Sequence, residues 1–426
     1  MICYYFPPLQ DVGARRSIAF AKYLRRHSWN CRVVSVKNPD KNYCSLGKEE
    51  PPEGVQTEYS KSILNLSGII GNLDAIVLRI LKIAGIVPKF RLFYNLICIP
   101  DLFIGWIPLT VLKCLRLFKK TNFDIIYVSC SPFSSALIGI ALKAFTKKTL
   151  AIDFRDPFTI NTPLNQGLLK SRIKINRMFE SYFIKKADIF IVNTDDTKEA
   201  YETEFPHSRN KIFAIHNGFD ADYKIDKNNR EKFEKFTIIY SGDFYFYSQP
   251  FIDPFFAGCK LLKTKETINR YNFQFLFYGD GAYKINELSA RYGVQDLVSS
   301  HQRVPYENLL ISLSKSHLQL LRIVKGFLST KLFEGIPLNV PFLATIPHGE
   351  AERIIKEFSP GSYIVTEEKP DVVAQAITDA MQAYKINGIP DNLIDRFLSR
   401  FSRENLTLKL IDIMEAKLNT LDTLKV

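Results

Sequence analysis

The residues with the clearest chemical potential lie between Ser329 and Glu334, where the chain reads Ser-Thr-Lys-Leu-Phe-Glu. Ser329 or Thr330 can cap a helix, and the free N–H groups of a helix's first turn attract an anion. Lys331 and Glu334 are three residues apart and would share one face of an exposed helix turn. Because a lysine suits a phosphate and a carboxylate suits sugar hydroxyls, the segment predicts a phosphate-binding crevice. An ordinary surface ion pair is the alternative interpretation of the same spacing.

A second charged pair, Arg155 and Asp156, directly follows the apolar segment Leu150 to Phe154. That segment is typical of a buried strand, and parallel sheets bind ligands at the carboxyl ends of their strands. The pair is therefore a candidate for the reaction centre. Ion pairs in such a position are also often structural, and the spacing does not separate the two interpretations.

The amino-terminal segment has the order strand, glycine loop, helix, strand of a βαβ unit. Residues 1 to 6 predict a short strand, Gly13 precedes a helix, and residues 31 to 36 predict the next strand. Arg15 and Arg16 would begin the helix near the end of the first strand. Gly13, Arg15 and Arg16 are therefore candidates for the acceptor or phosphate side of a binding site.

The same pattern restarts after the charged run 224 to 235, which is typical of an interdomain linker. Two apolar strands in this second half end in turns that contain Gly242 and Gly279. A nucleotide crevice requires glycine turns in this position, so both residues are candidates to line a nucleotide site. The element order predicts an α/β protein with two domains: 1–223 and 236–392, followed by C-terminal helices within 393–426.

Several segments resemble the family-four-like glycosyltransferases of the GT-B fold, as used in bacterial surface-polysaccharide assembly. The resemblance implies two Rossmann-like domains facing across a cleft, with the C-terminal helix packing back on the N-terminal domain. The first domain would hold the acceptor and the second a nucleotide sugar. The matching segments are Ser-Thr-Lys-Leu-Phe-Glu at 329–334, Ser-Pro-Phe-Ser-Ser at 131–135, Asp-Phe-Arg-Asp-Pro-Phe at 153–158, and Pro100-Asp101 with Gly105-Trp106.

The resemblance also implies the chemistry of the site. A nucleoside diphosphate sugar of the UDP or GDP type would place its base near Val304, its ribose at Glu334 and its phosphates at Ser329 to Lys331. The sugar would pass with retention to a glycan or lipid-linked acceptor, without a metal ion or other cofactor. Asp220-Ala221-Asp222 imitates a metal-binding motif of another glycosyltransferase fold, but it follows a turn instead of a strand.

The sequence departs from the family pattern at two places. The family has a second glutamate, separated by seven residues from the one that matches Glu334, and Gly326 occupies that upstream position here. It also has a basic residue soon after the turn that matches Gly242, where this chain continues with Asp243. The diphosphate charge would then fall to Lys331, Arg322 or Lys325.

Composition limits the class of protein and its partners. The 426 residues are 46% hydrophobic and 24% charged, which is typical of folded domains. The seven cysteines form no CxxC pair, so neither a disulfide framework nor a zinc site is indicated, and we expect a cytoplasmic protein without a signal peptide. The motifs of zinc hydrolases, α/β-hydrolases and P-loop enzymes are missing. A sugar-nucleotide epimerase of the same fold and a noncatalytic partner subunit stay as alternatives.

The net charge of +13 favours an acidic partner. Within residues 71 to 120, basic side chains alternate with large apolar ones. This pattern indicates peripheral binding to an anionic membrane surface more than binding to nucleic acid. The alternative is a set of core-facing helices with solvated basic edges. The basic residues are Arg79, Lys82, Lys89, Arg91, Lys113, Arg116, Lys119 and Lys120, and the acidic ones are Asp74 and Asp101.

Overall fold

The computed structural model forms two compact units, each with its own parallel sheet. Unit 1 contains Met1–His216 together with Arg403–Val426, and unit 2 contains Asn217–Ser402. The ranges expected from the sequence were 1–223, 236–392 and 393–426. The first unit therefore ends at His216 instead of 223, and the chain returns to it at Arg403 instead of 393. The structure describes residues 1–11, 13–40, 45–46, 50–86, 91–160, 163–223, 231–242, 249–324, 327–383 and 388–423.

The unit 1 sheet has seven parallel strands in the order β5-β3-β1-β6-β7-β8-β9, beside a short antiparallel pair, β2-β4. The chain winds outward from β1 first in one direction and then in the other, so the connections that follow β1 and β6 leave in opposite directions, which opens a crevice at the carboxyl ends of these two strands. The predicted strand over 1 to 6 is only two residues long. The strands are β1 (Ile2–Cys3), β2 (Leu9–Gln10), β3 (Arg32–Val36), β4 (Ser45–Leu46), β5 (Gln56–Ser60), β6 (Ile125–Cys130), β7 (Thr149–Phe154), β8 (Ile189–Val192) and β9 (Ile212–Ala214).

Helices cover both faces of this sheet, which is why every residue of β7 and β8 is buried. The last helix, α15 (Arg403–Thr423), packs against α1 and β8 of unit 1. Its Leu406, Leu410 and Met414 share a core with Phe20 and Leu24. The predicted return of the C-terminal helix to the N-terminal domain is confirmed. The other helices of unit 1 are α1 (Ala14–Arg26), α2 (Leu66–Ile83), α3 (Leu92–Ile97), α4 (Ile107–Lys120), α5 (Ser135–Thr146), α6 (Lys170–Lys186) and α7 (Asp195–Glu204).

The unit 2 sheet is six-stranded and parallel, in the order β12-β11-β10-β13-β14-β15. It reverses at β10 as the first sheet does at β1, and this order is that of a Rossmann-like domain. The strands are β10 (Phe236–Ser241), β11 (Phe273–Tyr278), β12 (Val298–His301), β13 (Leu318–Arg322), β14 (Phe342–Thr345) and β15 (Tyr363–Val365). Its helices are α8 (Gln249–Thr264), α9 (Ala282–Tyr292), α10 (Tyr306–Lys315), α11 (Thr330–Gly335), α12 (Glu350–Phe358), α13 (Pro370–Ala383) and α14 (Asp391–Phe401).

Helix α14 stays with unit 2 although the sequence grouped it with the returning segment. Phe397 and Phe401 pack in one core with Phe333 and Phe358 of unit 2. Only from Arg403 onward does the chain contribute to unit 1. No helix among the described residues is both long and apolar enough to pass through a bilayer.

Gly105 joins two segments of unit 1 that approach each other closely. Its carbonyl accepts the N–H of Ile63 at 2.9 Å, and the next residue, Trp106, is fully buried with its ring centroid 5.3 Å from that of Tyr4 in an edge-to-face contact. A Cβ atom at Gly105 would lie 2.9 Å from the backbone nitrogen of Leu64 and overlap its carbonyl oxygen. The glycine of the Gly105-Trp106 motif is therefore required by packing.

Replacing Gly105 with alanine should lower the free energy of unfolding by about 1–3 kcal/mol, because backbone atoms of Leu64 must move. Gly71→Ala is the matched control, since Gly71 lies within α2 with no atom near its missing Cβ. Alanine there should leave stability unchanged or raise it by up to about 1 kcal/mol. Urea unfolding followed by circular dichroism measures both, and equal effects would contradict the packing argument.

Candidate functional site

In unit 2, the carboxyl ends of neighbouring strands bring the predicted glycine turns to one edge of the sheet. The N–H of Gly242 donates to Tyr278 O at 2.8 Å, and the N–H of Gly279 donates to His301 O at 3.0 Å. Gly242 has a φ of +135°, which a side chain would strain. Gly242 directly follows β10, the strand at which the sheet order reverses, so this edge is where ligands of such sheets bind.

Lys331 lies against this turn. A Cβ atom at Gly242 would be 2.7 Å from Lys331 Nζ, and the same ammonium lies 4.9 Å from the ring centroid of Tyr240. Only glycine at 242 leaves room for the lysine, and the tyrosine face attracts its charge. The structure therefore brings a cation to the backbone of the first glycine turn.

Ser329 is the residue that caps α11, as the sequence allowed. Its hydroxyl accepts the N–H of Lys331 at 3.3 Å, and Thr330 is the first residue of the helix. The helix is six residues long, and Glu334 is only 5% exposed. The expectation that Glu334 lies on an exposed turn is wrong, because this short helix packs its second half into unit 2. The Tyr306 hydroxyl donates to Glu334 Oε1 at 2.9 Å.

Tyr306 is a site residue that the sequence interpretation missed. It is the first residue of α10, two positions after the half-buried Val304, and its hydroxyl links α10 to α11. A tyrosine directly after Pro305 was the available signal, but its partner could not be read from spacing.

Arg322 and Lys325 were the other basic candidates for contact with a diphosphate. Arg322 ends β13, and its Nε lies 3.5 Å from a carboxylate oxygen of Glu368. The described residues do not include Lys325, Gly326 or Asp243, so both departures from the family pattern lie outside them. Within the described residues, the Lys331 ammonium contacts the Gly242 turn.

In unit 1, Arg155 and Gly13 belong to one arrangement. The Arg155 guanidinium donates to the carbonyls of Gly13, Ser131 at 3.0 Å and Cys130 at 3.4 Å. A Cβ atom at Gly13 would overlap with this guanidinium. The arginine after β7 therefore ties the end of β6 to the start of α1, and its predicted catalytic role stays a prediction beside this structural one.

Asp156 follows Arg155 at the carboxyl edge of the sheet and is half-buried. Burial raises the pKa of its carboxyl above the usual aspartate range, although the nearby Arg155 and Arg16 lower it. Arg15 is half-buried on α1.

Arg16 is buried and engaged by protein groups. Its Nε lies 2.7 Å and its Nη2 3.1 Å from the two carboxylate oxygens of Asp153, and its Nη1 donates to His216 O at 2.7 Å. The Tyr127 hydroxyl donates to the same carboxylate. These contacts favour a structural role, so the acceptor-side assignment of Arg16 stays an untested prediction. In the sequence, Asp153 is the one charged residue inside the apolar strand 150–154, and this feature could have indicated its buried pairing with Arg16.

Asp101 connects two of the segments quoted for the family resemblance. Its carboxylate accepts the N–H of Ser134 at 2.8 Å, at the start of α5, and that of Phe103 at 2.9 Å. Burial raises the pKa of Asp101, while these N–H groups lower it. Asp101 thus joins the Pro100-Asp101 segment to Ser-Pro-Phe-Ser-Ser, which directly follows β6.

The comparisons with known proteins bear on the family resemblance found in the sequence. Residues 78–223 match the model of Glycosyltransferase Family 4. The chain is 25% identical over 251 residues to a protein of Methanocaldococcus jannaschii described as an uncharacterized glycosyltransferase. That alignment covers 55% of this chain and spans 58% of the relative's length. The resemblance to family-four-like glycosyltransferases is therefore confirmed.

Solved structures share the fold over nearly the whole chain. Sucrose-phosphate synthase from Thermosynechococcus elongatus superposes with a TM-score of 0.66 at 14% identity, covering 94% of this chain and 92% of that one. Anabaena HepE in complex with UDP superposes with a TM-score of 0.62 at 14% identity, covering 97% and 98%. At this identity the likeness shows the fold alone, and the fold is GT-B.

The buried ion pair of unit 1 should behave as a unit when it is mutated. Asp153→Leu should lower the free energy of unfolding by about 3–5 kcal/mol, because it leaves the Arg16 guanidinium buried without its carboxylate. Adding Arg16→Met to that variant should recover part of the loss. Urea unfolding of the two single variants and the double variant completes the cycle. A double variant whose loss equals the sum of the single losses would show that the pair is not coupled.

Proposed function

We propose that this protein is a glycosyltransferase that moves a sugar from a nucleoside diphosphate sugar to a glycan or lipid-linked acceptor. The observation that carries the proposal is the Lys331 ammonium held against the Gly242 turn, where the unit 2 sheet reverses. A cation beside a glycine turn at this position suits a diphosphate. The confirmed family resemblance of residues 78–223 supports the reaction class.

The donor would use the groups that converge on α11. Its phosphates would contact Lys331, the Gly242 backbone and the helix start at Ser329, and its base would lie near Gly279 and Val304. The ribose hydroxyls would donate to Glu334, whose carboxylate is oriented by Tyr306. Burial of that carboxylate limits its competition from water and strengthens such hydrogen bonds.

Catalysis would depend on stabilising the diphosphate as it leaves. The Lys331 charge and the backbone N–H groups near it are fixed before the reaction, so they need no reorganisation as negative charge develops. This supports departure of the diphosphate without a metal ion. Retention at the anomeric carbon would follow if the acceptor oxygen attacks from the face that the diphosphate leaves. UDP is the first nucleotide to test, because HepE of the same fold was solved with UDP.

The acceptor would bind unit 1 at the carboxyl edge of its sheet. Arg155 is fixed there by three backbone carbonyls, and Asp156 would accept a hydrogen bond from the attacking hydroxyl. A lipid-linked acceptor would confine the reaction to a membrane surface, in keeping with a cytoplasmic, peripheral enzyme. An epimerase would instead interconvert nucleotide sugars without an acceptor, and a noncatalytic subunit would do neither, so acceptor-dependent release of UDP or GDP separates the three.

Lys331→Ala and Glu334→Gln should each weaken nucleotide binding about 10- to 100-fold, because each removes a charged contact worth about 1.5–3 kcal/mol. Glutamine is used at 334 because it can still accept the Tyr306 hydroxyl hydrogen bond and preserve packing. Calorimetric titration with UDP and GDP measures the affinity.

Lys260→Ala is the matched control for the lysine, since Lys260 is exposed on α8 of the same unit. It should bind nucleotide as the wild type does. Unchanged affinity in both site variants, with the fold intact by circular dichroism, would contradict the donor site.

Asp156 should give transfer a characteristic pH dependence. The carboxylate is the form that accepts a hydrogen bond, and burial raises its pKa. Turnover should therefore fall on the acid side at a higher pH than an ordinary aspartate would cause. Asp156→Asn should lower kcat by about 100-fold or more and remove this acid limb, while nucleotide affinity stays unchanged.

Asp412→Asn provides the control, because Asp412 is exposed on α15 of the same unit. A fully active Asp156→Asn enzyme would leave Asp156 with a structural role only. Loss of activity with an unchanged acid limb would show that another group titrates.

A further inference from the structure

Exposed apolar side chains are concentrated in one stretch of unit 1. Of the 24 large hydrophobic side chains that are exposed in the described chain, 13 lie between Ile63 and Leu112. This stretch is about one eighth of the sequence, so the exposure is not scattered. Clusters of this kind mark interaction surfaces on otherwise folded proteins.

Helix α2 is the centre of this surface and is anchored mainly through its first half. Leu66, Ile70 and Asp74 are buried. The Asp74 carboxylate accepts the N–H groups of Phe93 at 2.7 Å and Tyr94 at 3.3 Å, which fixes α3 beside α2. The position of α2 on unit 1 is therefore specified by buried contacts, although its second half is largely exposed.

One face of α2 carries four exposed isoleucines, which we call the α2 ridge. At 100° per residue, positions 69, 76, 80 and 83 fall within about 60° of one another. Their exposed fractions are high for isoleucine in a folded protein. They are Ile69 at 52%, Ile76 at 56%, Ile80 at 59% and Ile83 at 83%.

The charges around the ridge have one sign. Arg79 is exposed on α2 next to the ridge, and Lys82 is exposed on the same helix, further around its solvent side. In the segments that form α2, α3 and α4, the one acidic residue is Asp74, which is buried and paired with Arg91 at 3.1 Å. Helix α4 of the same unit also carries exposed basic residues, Arg116, Lys119 and Lys120.

We propose that the α2 ridge inserts into an anionic lipid surface, with α2 lying in the plane of the membrane. Aliphatic side chains flanked by lysine and arginine match the acyl region and the phosphate headgroups of one leaflet. Long basic side chains at the edge reach the headgroups while their stems stay apolar. Pairing of this face with a second copy is disfavoured, because it would oppose two sets of like charges.

The proposal goes beyond the transferase reaction and does not rest on it, since vesicle binding is read without nucleotide or acceptor. The sequence analysis expected a basic and apolar membrane surface within residues 71 to 120, and the proposal assigns the inserting part of that surface to the α2 ridge. Lys89 lies outside the described residues, and Lys113 is paired with Glu58 at 2.8 Å. Ile69, in contrast, precedes that range and belongs to the ridge.

The test is flotation of the full chain with vesicles of phosphatidylcholine, alone or with phosphatidylglycerol. The wild type should float with the anionic vesicles at low salt and be released as salt rises, because exposed charges are screened. The triple variant Ile76→Gln, Ile80→Gln, Ile83→Gln should lower partitioning more than about 100-fold. Arg79→Gln with Lys82→Gln should lower it about 30-fold, at about 1 kcal/mol per basic residue.

Matched controls come from α5 and α6 of the same unit. Phe145→Gln, Ile175→Gln, Met178→Gln removes three exposed apolar side chains, and Lys170→Gln with Lys174→Gln removes two exposed charges. Both controls should float as the wild type does. Thermal melting establishes that every variant is folded.

A second measurement reports insertion directly. Ile80→Trp should be quenched by brominated lipids, whereas Met178→Trp should not. The proposal is overturned if the wild type stays unbound to anionic vesicles at low salt, if the ridge variant floats like the wild type, or if Ile80→Trp escapes quenching. A wild-type dimer in sedimentation that the ridge variant dissociates, without vesicle binding, would identify the ridge as a protein interface instead.

Discussion

The chemistry of each unit depends on one constraint, the reversal of strand order at a single central strand. In unit 2 the sheet reverses at β10, and in unit 1 it reverses at β1. At a reversal, neighbouring connections leave in opposite directions and open a crevice at the carboxyl ends of the strands. The Gly242 turn lies at one such edge, and Gly13, Arg155 and Asp156 lie at the other. The candidate site residues are therefore placed by topology before any side chain contributes.

Close packing then decides which charged groups can reach these edges. Lys331 reaches the Gly242 turn because position 242 has no side chain, and Arg155 passes over Gly13 for the same reason. Each glycine thus holds a cation against backbone atoms. A side chain at either glycine would displace the cation beside it, which explains why a glycine and a basic residue occur together at each of these two sites.

The cations of this protein fall into three physical classes. Arg16 is buried and paired with a carboxylate, which favours a structural role in unit 1. Lys331 is half-buried beside a glycine turn and suits a diphosphate. Arg79 and Lys82 are exposed beside apolar side chains and suit a lipid surface. A net charge of +13 therefore has no single cause, and the environment of each residue determines its use.

The sequence by itself determined the α/β class, the glycine turns, the helix start at Ser329 and the family resemblance, because these follow from local periodicity and short motifs. The tertiary structure alone decided the burial of Glu334 and its bond to Tyr306, since the two residues come from different helices. It also decided that Arg16 pairs with Asp153, a partner 137 positions away. Likewise, α14 and α15 follow one another directly in the chain, yet they belong to different units. Local patterns specify which elements form and which faces are apolar, whereas the partner of a buried group depends on how distant segments pack.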